Sequence, residues 1–218
     1  MSLPLILNDP ASLSLILAAF SVAAFHTLVG IDHYLPFVVL GRARGWSLGR
    51  VAGVAVLCGV GHVMGSIALG AVGIGVGAAV GLLEVIESFR GQAAAWGLIV
   101  FGTAYMGWAM LRLRGGHTHE HPTGANLTFW SLFIVFALGP CEPLIPVLMV
   151  PAFKHDWVLV GLVAAVFSVT TIAIMTAMSI LGSLGLSLLP LRTVERYSNV
   201  GAGAAIAGSG LAIQFLGI

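Results

Sequence analysis

Six long apolar stretches divide this 218-residue chain, and each is long enough to cross a lipid bilayer as an α-helix. Only 8% of the residues are charged, whereas a soluble domain carries about 25%. The stretches are continuous and lack the alternating segments of about ten residues that form a membrane β-barrel. The sequence therefore predicts an all-α polytopic membrane protein. The predicted spans cover approximately residues 11–40, 51–72, 93–113, 127–150, 158–181 and 199–216.

The first and fourth predicted spans carry helix-breaking residues near their centres. The first contains Gly30 and Pro36, and the fourth contains the run Gly-Pro-Cys-Glu-Pro at 139–143, followed by Pro146. Proline has no backbone N–H and clashes with the preceding helical turn, so a helix kinks or stops there. We therefore expect broken first and fourth helices.

Residues 76–89 lie between the second and third predicted spans. Glu84 and Glu87 are three positions apart in this segment, which puts both carboxylates on one face of a helix. The apolar residues around them favour an amphipathic helix in the membrane interface. We expect it to be separate from the third span.

The two halves of the chain repeat one pattern of polar residues. A shift of 109 positions places residues 30–35 on residues 139–144, and it also places His62 on Thr171. Each half then contains three spans. An odd number of spans puts the two halves in opposite orientations, which is the inverted-repeat plan of many transporters. The substrate site of such proteins lies near the membrane midplane, where the broken helices meet.

The chain divides into a first three-helix repeat at 1–113, a histidine-containing loop at 114–126 and a second three-helix repeat at 127–218. Seven of the nine Lys and Arg residues fall in the links after the first, third and fifth spans. Because Lys and Arg concentrate in cytoplasmic loops, both termini are expected outside and the loop in the cytoplasm. These seven are Arg42, Arg44, Arg50, Arg112, Arg114, Arg192 and Arg196.

Several metal-binding side chains occur inside the apolar spans. Lipid does not solvate a carboxylate, so an intramembrane Asp faces a protein interior or a water-filled path. Histidine, carboxylate and thiolate together are ligands for a divalent transition metal. The candidate ligands are His26, Asp32, His33, His62, Cys141 and Glu142, with Thr170 and Thr171 as lesser candidates along the path.

The spacing of two histidines makes the expected helix break important. His26 and His33 are seven residues apart, which is about 10 Å along an unbroken helix. They can reach one ion only if the helix breaks near Gly30. Each residue also has an ordinary structural interpretation: a single His bridges helices, Asp32 with His33 forms an internal ion pair, and Cys141 packs as a small apolar side chain.

The predicted loop contains His117, His119 and His121, which alternate with Thr118 and Glu120. Such a tract can chelate a metal, and it can equally be a solvated loop. If it binds metal, it forms an accessory site and not the transport path.

These motifs resemble those of the nickel/cobalt transporter family. That family has a His, a short spacer and then Asp-His in one helix, as His26 and Asp32-His33 do here, with a five-residue spacer where the family signature has four. His62 and its preceding glycine resemble the second-helix histidine motif. The run at 139–143 is similar to the break of a wider superfamily. That superfamily includes urease-accessory-type membrane proteins, sulfite exporter-like proteins and thiol-disulfide electron carriers.

The residues and the resemblance together imply a membrane carrier and not an enzyme. We expect it in a bacterial-type inner or plasma membrane, moving a divalent transition metal by alternating access. Nickel or cobalt is the expected substrate, with zinc or iron as alternatives, and neither an organic cofactor nor a nucleic-acid partner is expected. A second copy of the chain and an accessory metallochaperone are the candidate protein partners.

Two other classes of membrane protein stay open. A thiol-disulfide electron carrier needs two sulfurs that approach to about 2 Å, but the repeat position of Cys141 holds Asp32, and Cys58 lies in another span. A carrier of sulfite-like anions would have to overcome the charges of Asp32 and Glu142. The sequence predicts no Lys or Arg inside the membrane to offset them.

Overall fold

The computed structural model describes residues 8–75, 80–114, 124–139, 141, 143–188 and 197–216. Every regular element in these ranges is a helix, as the apolar runs predict. The elements in chain order are α1 (Pro10–Val29), a 3₁₀ helix (Ile31–His33), α2 (Leu35–Ala43), α3 (Leu48–Gly75), α4 (Val80–Arg114), α5 (Gly124–Leu138), α6 (Leu144–Phe153), α7 (Trp157–Leu188) and α8 (Ser198–Leu216).

Within the described ranges, four helices are long and apolar enough to cross a membrane, at Pro10–Val29, Leu48–Gly75, Leu82–Leu113 and Trp157–Leu188. Two shorter apolar segments, Phe129–Leu138 and the whole of α6, flank the second break. These helices are consistent with an integral membrane protein.

The first predicted span breaks where its glycine and proline indicate. The helix α1 ends at Val29, and the chain passes through Gly30 and one 3₁₀ turn before α2 begins. Pro36 lies in the first turn of α2, where a missing N–H costs no helical hydrogen bond. Gly30 is needed here because a Cβ at this position would collide with the His33 ring.

The fourth predicted span is also broken. The helix α5 ends at Leu138, and α6 restarts at Leu144, whose N–H donates to the carbonyl of Cys141. Pro143 precedes the first residue of α6, as a helix start favours. Pro140 and Glu142 lie outside the described residues.

The prediction of a separate interfacial helix at 76–89 is wrong for its described part. Residues from Val80 onward belong to α4, which continues without interruption to Arg114. Glu87 is fully buried and forms an ion pair with Arg90, whereas Glu84 is exposed. The segment enters the protein interior because the arginine neutralises the buried carboxylate one helical turn away.

Close packing of small residues joins α4 to α8. A Cβ on Gly102 would collide with the backbone of Ala207, and one on Gly203 would lie 2.6 Å from the backbone N of Met106. Helices in a membrane associate through such small residues because lipid provides no hydrophobic drive between them. The two helices run antiparallel, since Tyr105 near the end of α4 bonds Asn199 at the start of α8.

Buried apolar residues form two main clusters around the breaks. The first cluster contains Cys58 and Phe136, and the second contains Val63 and Cys141. His62 lies on α3 between Cys58 of the first cluster and Val63 of the second. The polar residues of the breaks therefore lie inside the helical bundle.

Candidate metal centre

The first break brings three imidazole rings together. His26 comes from the last turn of α1, His33 from the end of the 3₁₀ turn and His62 from the middle of α3. The ring centroids of His26 and His33 are 4.8 Å apart, and those of His33 and His62 are 5.1 Å apart. Along an unbroken helix, His26 and His33 would be about 10 Å apart. The break brings their rings to about half that distance.

Backbone carbonyls orient two of these rings. The Nδ1 atom of His33 lies 3.0 Å from the carbonyl oxygen of Gly30, and Nδ1 of His62 lies 3.2 Å from that of Phe136. A carbonyl oxygen can only accept, so Nδ1–H is the donor in both bonds. In the neutral imidazole Nε2 then carries the lone pair, as in a metal-ligating histidine held by an outer hydrogen bond.

The Nε2 atoms of His26, His33 and His62 are all buried without a hydrogen-bond partner among the described residues. Buried polar atoms in proteins are nearly always hydrogen-bonded, and each exception needs a physical reason. Here three such nitrogen atoms lie on rings that contact one another. A neutral imidazole nitrogen is the kind of donor that a transition-metal cation binds.

Cys141 adds a sulfur from the second break. One ligand atom from each of His26, His62 and Cys141 lies within 4.8 Å of the other two. A tetrahedral ion with bonds of about 2.0 Å to nitrogen and 2.3 Å to sulfur separates its ligand atoms by about 3.3–3.6 Å. Side-chain shifts of about 1 Å would therefore close these three groups around one ion.

Asp32 and His33 stand beside this convergent group and are not members of it. The Oδ1 atom of Asp32 lies 3.3 Å from Nδ1 of His33, and the aspartate side chain remains 26% exposed. The Asp32 carboxylate thus helps to orient the His33 ring. Because Asp32 is partly exposed and lines the cavity, the ion pair is not fully enclosed. Asp32 and His33 therefore have the geometry of the internal ion pair that the sequence suggested. The contact is an ion pair when His33 is protonated.

A cavity of about 820 Å³ leads to the site. Its wall includes His26, Asp32, His33 and His62, although the Nε2 atoms of the three histidines are themselves buried. Further polar groups line it away from the histidines, on α1, α4 and α8. These groups are Ser21, Ser88, Gln92 and Gln214.

The structure places only two of the remaining predicted site residues. Glu142, His117, His119 and His121 lie outside the described residues. Thr170 and Thr171 are buried on α7, and neither lines the cavity. The hydroxyl oxygen of Thr171 has no hydrogen-bond partner among the described residues.

Arg90 is a partly buried residue beside the site, and the sequence did not identify it. Its guanidinium bonds Glu87 Oε1 at 2.6 Å and also reaches Ser66 and the carbonyls that end α5. The expectation that no Lys or Arg lies inside the membrane-spanning bundle is therefore wrong. The i,i+3 spacing of Glu87 and Arg90 was the available signal, but it is also the spacing of an exposed pair on a surface helix.

Comparison with known proteins adds no relative to this picture. No family model, curated protein or solved structure matches the chain. The function is therefore argued from the geometry of the site.

Proposed function

We propose that this protein is a membrane carrier for a divalent transition-metal cation. The observation that supports it most directly is a set of imidazole Nε2 atoms with no hydrogen-bond partner in the described part of the chain, beside a buried thiol where two broken helices meet. His26, His62 and Cys141 are the proposed ligands. His33, held by Asp32 and Gly30, is the nearest further ligand on the cavity side.

The donor set selects a class of ion. Imidazole and thiolate suit Ni²⁺, Co²⁺, Zn²⁺ and copper, whereas Mg²⁺ and Ca²⁺ prefer oxygen ligands. Nickel and cobalt come first because the motifs around His26 and His62 resemble those of nickel/cobalt transporters. Binding displaces the proton of the Cys141 thiol, since the thiolate is the ligand form.

The packing of the helices supports the inverted-repeat part of the proposal. Each half contains a broken helix followed by two long helices. The first helix of each half packs on the second helix of the other, α1 on α7 and α5 on α3. The equivalent pairs α3 with α7 and α4 with α8 pack on each other. Exchange of the two halves leaves this pattern unchanged, as a two-fold axis in the membrane plane requires.

The cavity provides access from one end of the bundle. Ser88 and Gln92 lie near the start of α4, and Gln214 lies near the end of α8, which is the same end because the two helices are antiparallel. Towards the other end, Phe37 packs on Phe136 with ring centroids 4.7 Å apart inside the first core cluster. We infer a conformation of the carrier whose cavity opens at the end of the bundle where α1 begins and α8 ends. The arginine bias assigns that end to the outside.

The test is the metal content of the purified protein in detergent after incubation with Ni²⁺, Co²⁺ or Zn²⁺. We expect about one ion per chain, and loss of that ion in His62→Ala and Cys141→Ser, because each removes a ligand. His155→Ala is the matched control, since His155 is exposed in the turn before α7. Absence of bound metal from the unmodified protein would overturn the proposal.

The competing redox function has less support. Cys58 and Cys141 are both free, and they belong to different core clusters. A carrier of sulfite-like anions would need a free cation at the break, but Arg90 is engaged by Glu87 and by two carbonyls. The metal carrier is therefore the function that we propose.

A further inference from the structure

Arg90 joins three helices at the second break. It projects from α4, and its Nη2 atom donates to the carbonyl oxygens of Ala137 at 3.0 Å and Gly139 at 3.4 Å, at the end of α5. Its Nη1 atom donates to the hydroxyl of Ser66 on α3 at 3.4 Å. A helix end leaves carbonyls without partners, and inside a membrane water cannot supply them.

The same serine contacts the proposed metal ligand. The hydroxyl oxygen of Ser66 accepts a hydrogen bond from the backbone N–H of Cys141 at 3.2 Å. Ser66 and Cys141 are both buried, so no solvent replaces these bonds. A continuous set of hydrogen bonds therefore runs from Arg90 through Ser66 to the backbone that carries the thiol.

Two features hold the guanidinium in place. Glu87 is fully buried and accepts from Nη1 at 2.6 Å, which leaves the pair without net charge. Gly65 provides the space, because a Cβ there would lie 2.5 Å from Nη2 of Arg90 and 2.7 Å from the oxygen of Ala137. Only a planar guanidinium with several N–H groups can bond the carboxylate, the hydroxyl and the carbonyls at once.

We propose that Arg90, held by Glu87, is a positioning residue that fixes the second break so that Cys141 faces His26 and His62. This inference rests on the proposed metal site and adds a residue that acts on it through Ser66 and the α5 carbonyls. Such outer partners of a ligand typically contribute about 10- to 100-fold to metal affinity. Arg90 itself does not touch the ion.

The experiment uses the near-ultraviolet and visible absorption of bound Co²⁺, which shows a separate intense charge-transfer band in the near ultraviolet when a thiolate is a ligand. The test variant is Glu87→Gln with Arg90→Gln, because it removes both charges and leaves neither buried alone. Arg90→Lys keeps the charge but cannot span the same acceptors. Arg112→Gln is the control, since Arg112 is exposed and stacks on Trp108 of the same helix.

We expect the double variant and Arg90→Lys to bind Co²⁺ about 10- to 100-fold more weakly and to lose most of the thiolate band, as Cys141→Ser does. Arg112→Gln should keep both. If the unmodified protein shows the thiolate band and the Arg90 variants keep its intensity and affinity, Arg90 only stabilises the fold and the inference is overturned. If the unmodified protein binds no Co²⁺, the proposed metal site itself fails.

A second measurement tests the positioning without metal. In a Cys58→Ala background, alkylation of Cys141 by a small maleimide reports how often the second break opens. We expect the Arg90 variants to react at least several-fold faster than the parent, at temperatures where the helical signal is unchanged. Equal rates would show that Arg90 does not hold the segment that carries Cys141.

Discussion

Gly30 and Gly139 are the two residues whose missing side chains make room for the histidines. A Cβ on Gly30 would collide with the His33 ring and lie 3.0 Å from Asp32 Oδ1. A Cβ on Gly139 would lie 3.1 Å from Nδ1 of His62. The same shift of 109 positions that aligns the two breaks aligns these glycines. Each break therefore places a backbone without a side chain against one imidazole.

Gly30→Ala should displace the His33 ring, which contacts the rings of both His26 and His62, and so weaken metal binding by about tenfold or more. Isothermal titration with Ni²⁺ or Co²⁺ measures this change. Gly107→Ala is the matched control. A Cβ added at this helical glycine would have no neighbouring atom within 4 Å in the described part of the chain. Unchanged affinity in Gly30→Ala would show that the His33 ring need not stay where the structure places it.

At the scale of elements, the start of α1 depends on one charged cap. The carboxylate of Asp9 accepts hydrogen bonds from the Ser12 hydroxyl at 2.6 Å and from the backbone N–H of Ser12 at 3.0 Å. These bonds, the hydroxyl first, hold the pKa of Asp9 below its usual range. A carboxyl whose pKa is lowered by folding contributes stability above its unfolded pKa, and that stability is lost as the pH falls through the folded value.

Asp9→Ala should therefore lower the thermal unfolding midpoint in detergent at neutral pH, because the first N–H groups of α1 lose their acceptor. The difference from the unmodified protein should shrink as the pH falls below the usual carboxyl range and approaches the lowered folded pKa of Asp9, because the carboxylate then gains its proton. A melting series followed by circular dichroism measures it. A difference that stays constant with pH would show that the charge of Asp9 contributes nothing.

At the scale of the whole molecule, aromatic and basic residues mark one end of the bundle. Arg44 at the end of α2 donates to the Tyr105 hydroxyl at 3.1 Å, and that hydroxyl bonds Asn199 at 2.8 Å. Arg50 lies over the Trp46 ring at 5.0 Å. The opposite end carries Asp9 at the start of α1 and the turn at 154–156 before α7. This distribution of charge predicts that the arginine end faces the cytoplasm.

Cysteine labelling of intact cells tests this orientation. A membrane-impermeant maleimide should label His155→Cys directly and Arg112→Cys only after permeabilisation, because both positions are exposed at opposite ends. The unmodified protein is the control, as both of its cysteines are buried. Direct labelling of Arg112→Cys, with His155→Cys labelled only after permeabilisation, would place the start of α1 on the cytoplasmic side. The cavity would then open towards the cytoplasm.

The sequence by itself determined the helical class and the position of both breaks, and it selected three side chains that the structure brings together. These features are local: hydropathy over about 20 residues decides a span, and Gly30, Pro36 and Pro143 interrupt helices through their own backbone chemistry. His26, His62 and Cys141 could be selected because polar groups are costly in lipid wherever the chain folds.

Only the tertiary structure decided which of these groups meet. His62 and Cys141 are far apart in the chain, and their convergence depends on how α3 packs against the second break. The spacing of Glu87 and Arg90 does not reveal that Glu87 is buried, because an exposed pair on a surface helix has the same spacing. Their role depends on contacts of α4 with Ser66 on α3 and with Ala137 and Gly139 at the end of α5, and no local pattern in the sequence carries that information.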